Sequence, residues 1–246
     1  MATGPHHSAS ERRGAARTAV VWDGLQPALD RAVGQDVLDI GGGTGGFAVR
    51  VAELGHRVRV VDPSPDALAS LDRRASESGV EVTGQQGDLS TLLDVAESGS
   101  ADVVLCHGVL EVVDDPGAAL ATIAEVLRPG GVLSLLVAQR HAAVVARAMA
   151  GHFEQARALL DPADPAGPPG RSGRRFTRNE LENLLPAAGF TIDSTHAVRV
   201  FSDLVPGSLF DLEPGATAAL LELEQAVSER PEYAPLAAQL HLVATR

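Results

Sequence analysis

The chain predicts an α/β fold: a mostly parallel seven-stranded sheet with helices on both faces and an antiparallel last strand. Three observations carry this. Strand-like apolar runs alternate with helix-length segments over residues 36–138, the order a parallel sheet requires. A glycine-rich turn, Asp39-Ile40-Gly41-Gly42-Gly43-Thr44-Gly45, follows the first run, and Asp62 closes the second. The last apolar run lies close enough in sequence to its predecessor to pair antiparallel, without a crossover helix on the return.

The elements follow in order. Residues 1–34 read as helices capping the sheet. Strand 36–40 leads through the glycines to a helix over 45–54, then strand 57–61. Pro63-Ser64-Pro65 stops that strand, because proline cannot donate to a ladder. Residues 66–78 predict a helix and 80–85 a strand, with Gly87-Asp88-Leu89 at its carboxyl end. Strand 101–106 is closed by His107-Gly108. The segment 116–127 is helical with proline in its first turn, and Arg128-Pro129-Gly130-Gly131 ends it before strand 132–138. A long alanine-rich helix over 142–160 and a Pro/Gly-dense loop over 161–173 come next. Thr177 and Glu180 form a capping box for a helix to Ala188, ended by Gly189. Strand 191–201, helix 215–228 and strand 240–245 complete the chain. No internal repeat is present. The organisation is a single domain over 1–246: an amino-terminal cap (1–34), a nucleoside-binding half (35–138), a cap helix and loop (139–190), and a substrate-side half (191–246).

Open α/β sheets bind ligands beyond the carboxyl ends of their strands, so Asp39, Asp62, Asp88 and His107 are expected to share one crevice. Gly41, Gly42 and Gly43 let backbone approach the ligand there. Gly41-x-Gly43-x-x-Gly46 with Asp62 downstream also satisfies a dinucleotide pattern, which keeps NAD and an oxidoreductase open. Asp39 argues the other way: a carboxylate so near the loop repels a pyrophosphate and suits a cationic ligand such as S-adenosylmethionine. A non-catalytic sensor built on the same pocket is a further alternative.

Composition excludes several classes. The chain has 246 residues, 45% hydrophobic, enough for a domain with a real core. All 20 basic residues are arginine. Without lysine, neither a Schiff base on the chain nor a Walker loop is available. A net charge of -12 and only 3% aromatic residues argue against a non-specific polyanion binder or a single-strand stacking surface. The basic clusters Arg12, Arg13, Arg17 and Arg171, Arg174, Arg175, Arg178 read either as solvated arms or as contacts for an anionic substrate such as RNA phosphate. The single cysteine, the lack of a signal-peptide core and the short longest apolar run predict a cytoplasmic protein with no membrane span. No His/Cys/Asp spacing suggests a metal site.

Residues 37–45, Val61-Asp62, Gly87-Asp88-Leu89 and Leu127-Arg128-Pro129-Gly130-Gly131 match, in order and spacing, the class I S-adenosylmethionine-dependent methyltransferases, which the chain resembles over essentially its whole length. That resemblance implies a Rossmann-like fold. More narrowly the chain resembles the tRNA uridine 5-carboxymethoxy methyltransferases, which esterify a carboxylate on a modified wobble uridine. The matches are Gly14-x-x-Arg17 with Trp22, His107-Gly108-Val109-Leu110-Glu111, Gly130 to Leu135, Gly151-His152-Phe153-Glu154, Val198-Arg199-Val200-Phe201 and Leu221-Glu222-Leu223-Glu224. The resemblance implies that Arg17, Gly41, Gly42, Asp62, Pro63, Asp88, Leu89 and His107 contact S-adenosyl-L-methionine. Asp62 would take the ribose hydroxyls, Asp88 and the Leu89 amide the adenine edge, and Arg17 the methionine carboxylate. It also implies tRNA as partner, with a small-molecule acceptor as the alternative. The chain departs from this family where the relatives carry His, Asp and Tyr and it has Ser202-Asp203-Leu204, and where they carry Tyr-Asn and it has Ala138-Gln139.

A carboxylate acceptor is already ionised at neutral pH and needs no general base, which agrees with the lack of an evident one. Arg199 is expected to orient that carboxylate, or else to form a surface ion pair; Gln139, Arg174 and Arg175 are further acceptor-side candidates. Cys106 reads as a buried small hydrophobe and Trp22 as an anchor packing the amino-terminal helix over the cofactor. Glu111, Asp114 and Asp115 are expected to cap the following helix, or else to shape the mouth of the pocket.

Overall fold

Each core strand alternates side chains between two apolar layers. The result, in a computed structural model that describes residues 9–160, 173–205 and 215–246 (without the side chains of 9–13 and 16), is one seven-stranded sheet ordered β3-β2-β1-β4-β5-β7-β6. The strands are β1 Asp36–Ile40, β2 Arg57–Asp62, β3 Val82–Gln86, β4 Ala101–His107, β5 Leu127–Ala138, β6 Thr191–Val198 and β7 Gln239–Thr245. β1 pairs parallel with both β2 and β4. Chain progression therefore runs outward to β3 on one side and resumes at β4 on the other, which opens a crevice above β1. β7 is antiparallel to β6 as expected, and it also inserts between β5 and β6 and pairs antiparallel with β5.

The helices are α1 Ala9–Leu29, α2 Ala48–Glu53, α3 Pro65–Ser78, α4 Leu92–Val95, α5 Pro116–Val126, α6 Arg140–Met149, α7 Phe153–Leu160, α8 Arg178–Ala187 and α9 Ala216–Val227. Leu38, Ile40, Val104, Cys106, Leu133 and Leu135 face the layer holding Leu120 and Ile123 of α5 and Leu181 and Leu185 of α8. Val37, Val103, Leu105 and Val132 face the layer holding Leu25 and Leu29 of α1, Val49 of α2 and Leu71 of α3. Asp39 and His107 fall in register with the second set.

Four expectations are corrected. The helix expected over 45–54 starts at Ala48, because Gly43 and Gly45 have φ of 56° and 79°, which a right-handed helix cannot accommodate. The long helix expected over 142–160 divides at Gly151 into α6 and α7. The strand expected to Phe201 stops at Val198, because Arg199 adopts φ of 60°. β5 begins at Leu127, so the Arg-Pro-Gly-Gly segment lies within the strand, opposite an irregularity between Ala101 and Val103 of β4. Of the loop expected over 161–173, only Gly173 is described; Arg171 and the side chains of Arg12 and Arg13 lie outside the described residues. The Thr177–Glu180 capping box of α8 is present. No described helix is long and apolar enough to cross a membrane.

One polar clamp holds the turn after β6. Glu224 of α9 is fully buried, and its carboxylate accepts the N–H groups of Val200, Phe201 and Ser202 at 2.8, 3.0 and 2.8 Å, as well as the Ser202 hydroxyl. These amides have no ladder partner where the strand has ended. Glu224→Ala would strand several donors, each costing ~1–3 kcal/mol. A total near ~3 kcal/mol lowers the melting temperature of a domain this size by about 6–12 °C, which calorimetry would measure.

Candidate active site

The crevice is built on a carboxylate beneath a bare backbone. An ideal Cβ on Gly42 would lie 2.4 Å from Asp39 Oδ2, and one on Gly41, whose φ is 68°, would lie 2.4 Å from Val109 Cγ2. Any side chain here would displace Asp39 or Val109, so the loop passes bare over the end of β1. Asp39 is buried and accepts no hydrogen bond among the described residues. Burial, and then the nearby Asp62 carboxylate, push its pKa up to about 7, against the pull of Arg17.

Asp62, at the end of β2, holds the loop from the other side. Its Oδ2 accepts the Gly43 N–H at 2.9 Å and its Oδ1 the Ser64 N–H at 2.9 Å. The Pro63 carbonyl that follows accepts Gln86 Nε2 at 3.2 Å. Asp88 caps the short 3-10 turn Leu89–Thr91, its Oδ1 accepting the N–H groups of Ser90 and Thr91 at 2.8 and 3.2 Å. The Ser90 hydroxyl, also donating to Oδ1, holds the Asp88 carboxyl below its usual range despite some desolvation. Oδ2 accepts nothing among the described residues, so it is the oxygen left for a ligand.

His107 ends β4 with Nε2 2.9 Å from Ser134 Oγ and its ring edge-on to Phe47. Burial, and then Arg17, push its pKa down to about 3, so the imidazole is neutral. Arg17 of α1 sits with Cζ 5.8 Å from the Phe47 ring centroid. Burial and Arg199 lower its pKa, while Asp39 and Glu111 oppose them, so all four charges share one electrostatic neighbourhood. Trp22 anchors α1 as expected: it stacks on Phe47 and carries Arg50 Cζ 3.7 Å from its centroid. Cys106 is fully buried, and burial pushes its thiol pKa up.

Glu111 is not a helix cap. Asp115 alone caps α5, accepting the Gly117 and Ala118 N–H groups. Glu111 is buried against the site: Oε1 accepts the Ala138 N–H at 2.7 Å, Oε2 has no partner among the described residues, and burial raises its pKa. A cavity of about 650 Å³, lined in part by Ala138, opens beyond that hydrogen bond. One wall is apolar, from Ala142, Val145, Ala146 and Met149 of α6; the other carries Arg175, Arg199, Asp203 and Gln239. Arg199 pairs with Asp203, while its Nε is buried without a partner among the described residues.

The other acceptor-side candidates divide. Gln139 lines the cavity, but its amide is taken up by structure: Oε1 accepts the Ala142 N–H at the start of α6 and Nε2 donates to the Ala234 carbonyl. Arg175 lines the cavity; Arg174 does not, and donates to the Asp114 carbonyl. Arg178 is paired with Glu182 at 2.7 Å. Sequence reasoning missed Phe47, Ser134, Gln239 and His241, and of its two readings for Glu111 it favoured the helix cap over the pocket. The available signal was a polar residue inside an apolar strand, as at Ser134 and His241. No group of three metal-ligating side chains occurs among the described residues.

A methyltransferase domain family matches residues 38–135, the stretch that builds this crevice. Over 241 residues the chain is 32% identical to the tRNA 5-carboxymethoxyuridine methyltransferase of Escherichia coli strain K12, spanning 95% of this chain and 89% of that one. It belongs to the class I S-adenosylmethionine-dependent methyltransferases. The fold agrees: a Mesorhizobium loti S-adenosylmethionine-dependent methyltransferase superposes with a TM-score of 0.62 at 20% identity, covering 94% of this chain and 100% of that one. The magnesium protoporphyrin IX methyltransferase of Synechocystis PCC 6803, solved with bound S-adenosylhomocysteine, superposes with a TM-score of 0.62 at 18% identity, covering 100% of this chain and 90% of that one. The cofactor of this methyltransferase is S-adenosylmethionine, which sets the NAD reading aside.

The unbonded Asp39 carboxylate fits that cofactor, because a methionyl ammonium supplies the cation and the donors that the burial withholds. Without ligand, Asp39 keeps its proton in the folded state and loses it in the unfolded state between pH ~4 and ~7. Apo stability therefore falls as pH rises through that window and levels off above it. Asp39→Asn should raise apo melting temperature more at pH 8 than at pH 5, while weakening cofactor binding by ~10–100-fold, the loss of a charge-assisted bond worth ~1.5–3 kcal/mol. Scanning calorimetry at both pH values, with cofactor titration, measures both.

Proposed function

We propose that this single-domain methyltransferase esterifies a carboxylate, and that its acceptor is the 5-carboxymethoxy group of a tRNA wobble uridine in the cytoplasm. The observation that carries the reading is Arg199: a guanidinium in the cavity wall, steadied on one side by Asp203, with a buried Nε that has no partner among the described residues. The planar guanidinium in that wall can hold an acceptor carboxylate bidentately. The positive φ of Arg199 and the Glu224 clamp on the next three amides aim the side chain inward. Kinship with a tRNA 5-carboxymethoxyuridine methyltransferase supports the tRNA acceptor.

When bound, S-adenosylmethionine supplies an activated methyl group. The chain's own work is positioning and charge control. Asp39 and Arg17 bind the two charged ends of the methionyl group, and Asp62 and the Asp88–Leu89 turn hold the nucleoside. Arg199 and Arg175 orient the acceptor carboxylate, and the apolar face of α6 excludes water from it. In-line displacement gains most of its rate from such alignment. No residue has to move a proton, which agrees with a neutral His107 and an inert Cys106.

The apolar α6 wall favours a second reading, in which a small carboxylic acid fills the cavity. Labelled methyl transfer to total tRNA, followed by nucleoside mass spectrometry and a mild alkali wash, separates the two. Alkali-labile label on a wobble uridine supports the tRNA ester; label appearing only on small acids sinks it. Arg199→Lys keeps the charge but loses the fork, and should raise acceptor KM by ~10–100-fold with cofactor affinity unchanged. If tRNA is the acceptor, Arg174→Ala with Arg175→Ala should weaken binding and reduce its salt dependence; on a small acid, the salt dependence should stay as it was.

A further inference from the structure

A polar stripe crosses the α1 face of the sheet: Asp39 on β1, His107 on β4, Ser134 on β5, His241 on β7 and His196 on β6, one residue on each of five successive strands. Ser134 and His241 are fully buried between valine and leucine neighbours. Ser134 Oγ lies 2.9 Å from His107 Nε2 and 2.8 Å from His241 Nε2. A hydroxyl has one proton, so it donates to one imidazole and accepts from the other, and that choice sets both tautomers.

The far end decides it. His241 stacks on His196 at 5.3 Å, and an ideal Cβ on Gly24 of α1 would lie 3.0 Å from His241 Cε1 and 2.6 Å from His196 Cε1, so the helix backbone closes over both rings. His241 Nδ1 is buried with no partner among the described residues. If Ser134 donated to His241, that Nδ1 would carry a proton with no acceptor, and a sealed N–H is the orphan that folded proteins avoid most strongly. If His241 Nε2–H donates to Ser134 instead, Nδ1 is a bare lone pair, and the Ser134 hydroxyl proton goes to His107 Nε2. Burial and the neighbouring His107, His196 and Arg17 keep His241 from taking a second proton, so it cannot escape the choice.

We infer that Ser134 and His241 are positioning residues that lock His107 as the neutral Nδ1–H tautomer, so that the ring nitrogen left facing the crevice is an uncharged donor to the methionyl carboxylate. Free imidazole side chains favour the Nε2–H form, so the relay inverts the ordinary preference. An inverted His107 would present a lone pair to that carboxylate. The assignment rests on the methionyl end of the cofactor lying at His107, and it is independent of the acceptor.

The test is a histidine-ring nitrogen–proton correlation spectrum of the full chain without cofactor, with His107 assigned by comparison with His107→Gln, together with calorimetric cofactor affinity. Wild type should show His107 protonated on Nδ1 and bare on Nε2, and His241 protonated on Nε2. Ser134→Ala should move His107 to the Nε2–H form and weaken cofactor binding about tenfold, while Ser134→Thr restores both. If the alanine variant fails to fold, Ser134→Cys, a weaker donor, should shift both readouts part of the way. A wild-type His107 already protonated on Nε2 overturns the inference, as does an inverted tautomer with unchanged cofactor affinity. Neither readout needs a methyl acceptor, so a wrong acceptor assignment leaves this result intact.

Discussion

The site depends on one buried carboxylate. Asp39 lies near the end of β1 under the bare backbone of Gly42, largely buried and without a donor among the described residues. A charge in that position is costly unless a cation or donor meets it. Everything around it serves that condition. Asp62 adds negative potential rather than relieving it, and Arg17 is close enough to moderate the field without bonding to Asp39. The protein without ligand thus holds a carboxylate whose charged form is unfavourable where it sits.

Sheet order brings the remaining groups to that point. Because β1 lies between β2 and β4, the ends of three parallel strands deliver Asp39, Asp62 and His107 to one crevice, and the return of β7 between β5 and β6 sets a second polar layer beside it. The insertion of β7 puts His241 within reach of Ser134, 107 residues earlier in sequence. α1 then closes over this layer, with Trp22 stacked on Phe47 and Gly24 against the histidine rings. One helix in this way touches both the cofactor crevice, through Arg17, and the polar stripe beneath it.

The acceptor side is organised by a different device. Where β6 ends, three consecutive amides leave the ladder, and a carboxylate from α9 takes them up. That clamp permits the left-handed Arg199, and so the projection of a guanidinium into the cavity. Gln139 shows the reverse case: a polar residue at the expected place whose capacity is consumed by the start of α6.

Features that depend on local spacing were legible before any fold was known. The alternation of strand and helix, the Thr177–Glu180 box, the proline stops, and the glycine loop with Asp39 and Asp62 are encoded within a few residues of where they act. His107 was expected at the crevice from its place at the end of a strand, whereas Arg17 was singled out only through family likeness, because nothing in its sequence neighbours says what it faces. Tertiary structure alone decided the early end of β6, the buried place of Glu111, and the partners Glu224, Ser134, His241 and His196. The physical reason is range. A helix cap or turn is settled by backbone dihedrals and hydrogen bonds a few residues apart, whereas a buried polar group is tolerated only if a distant strand or helix brings it a partner. Which strand lies beside which is set by the packing of the whole sheet.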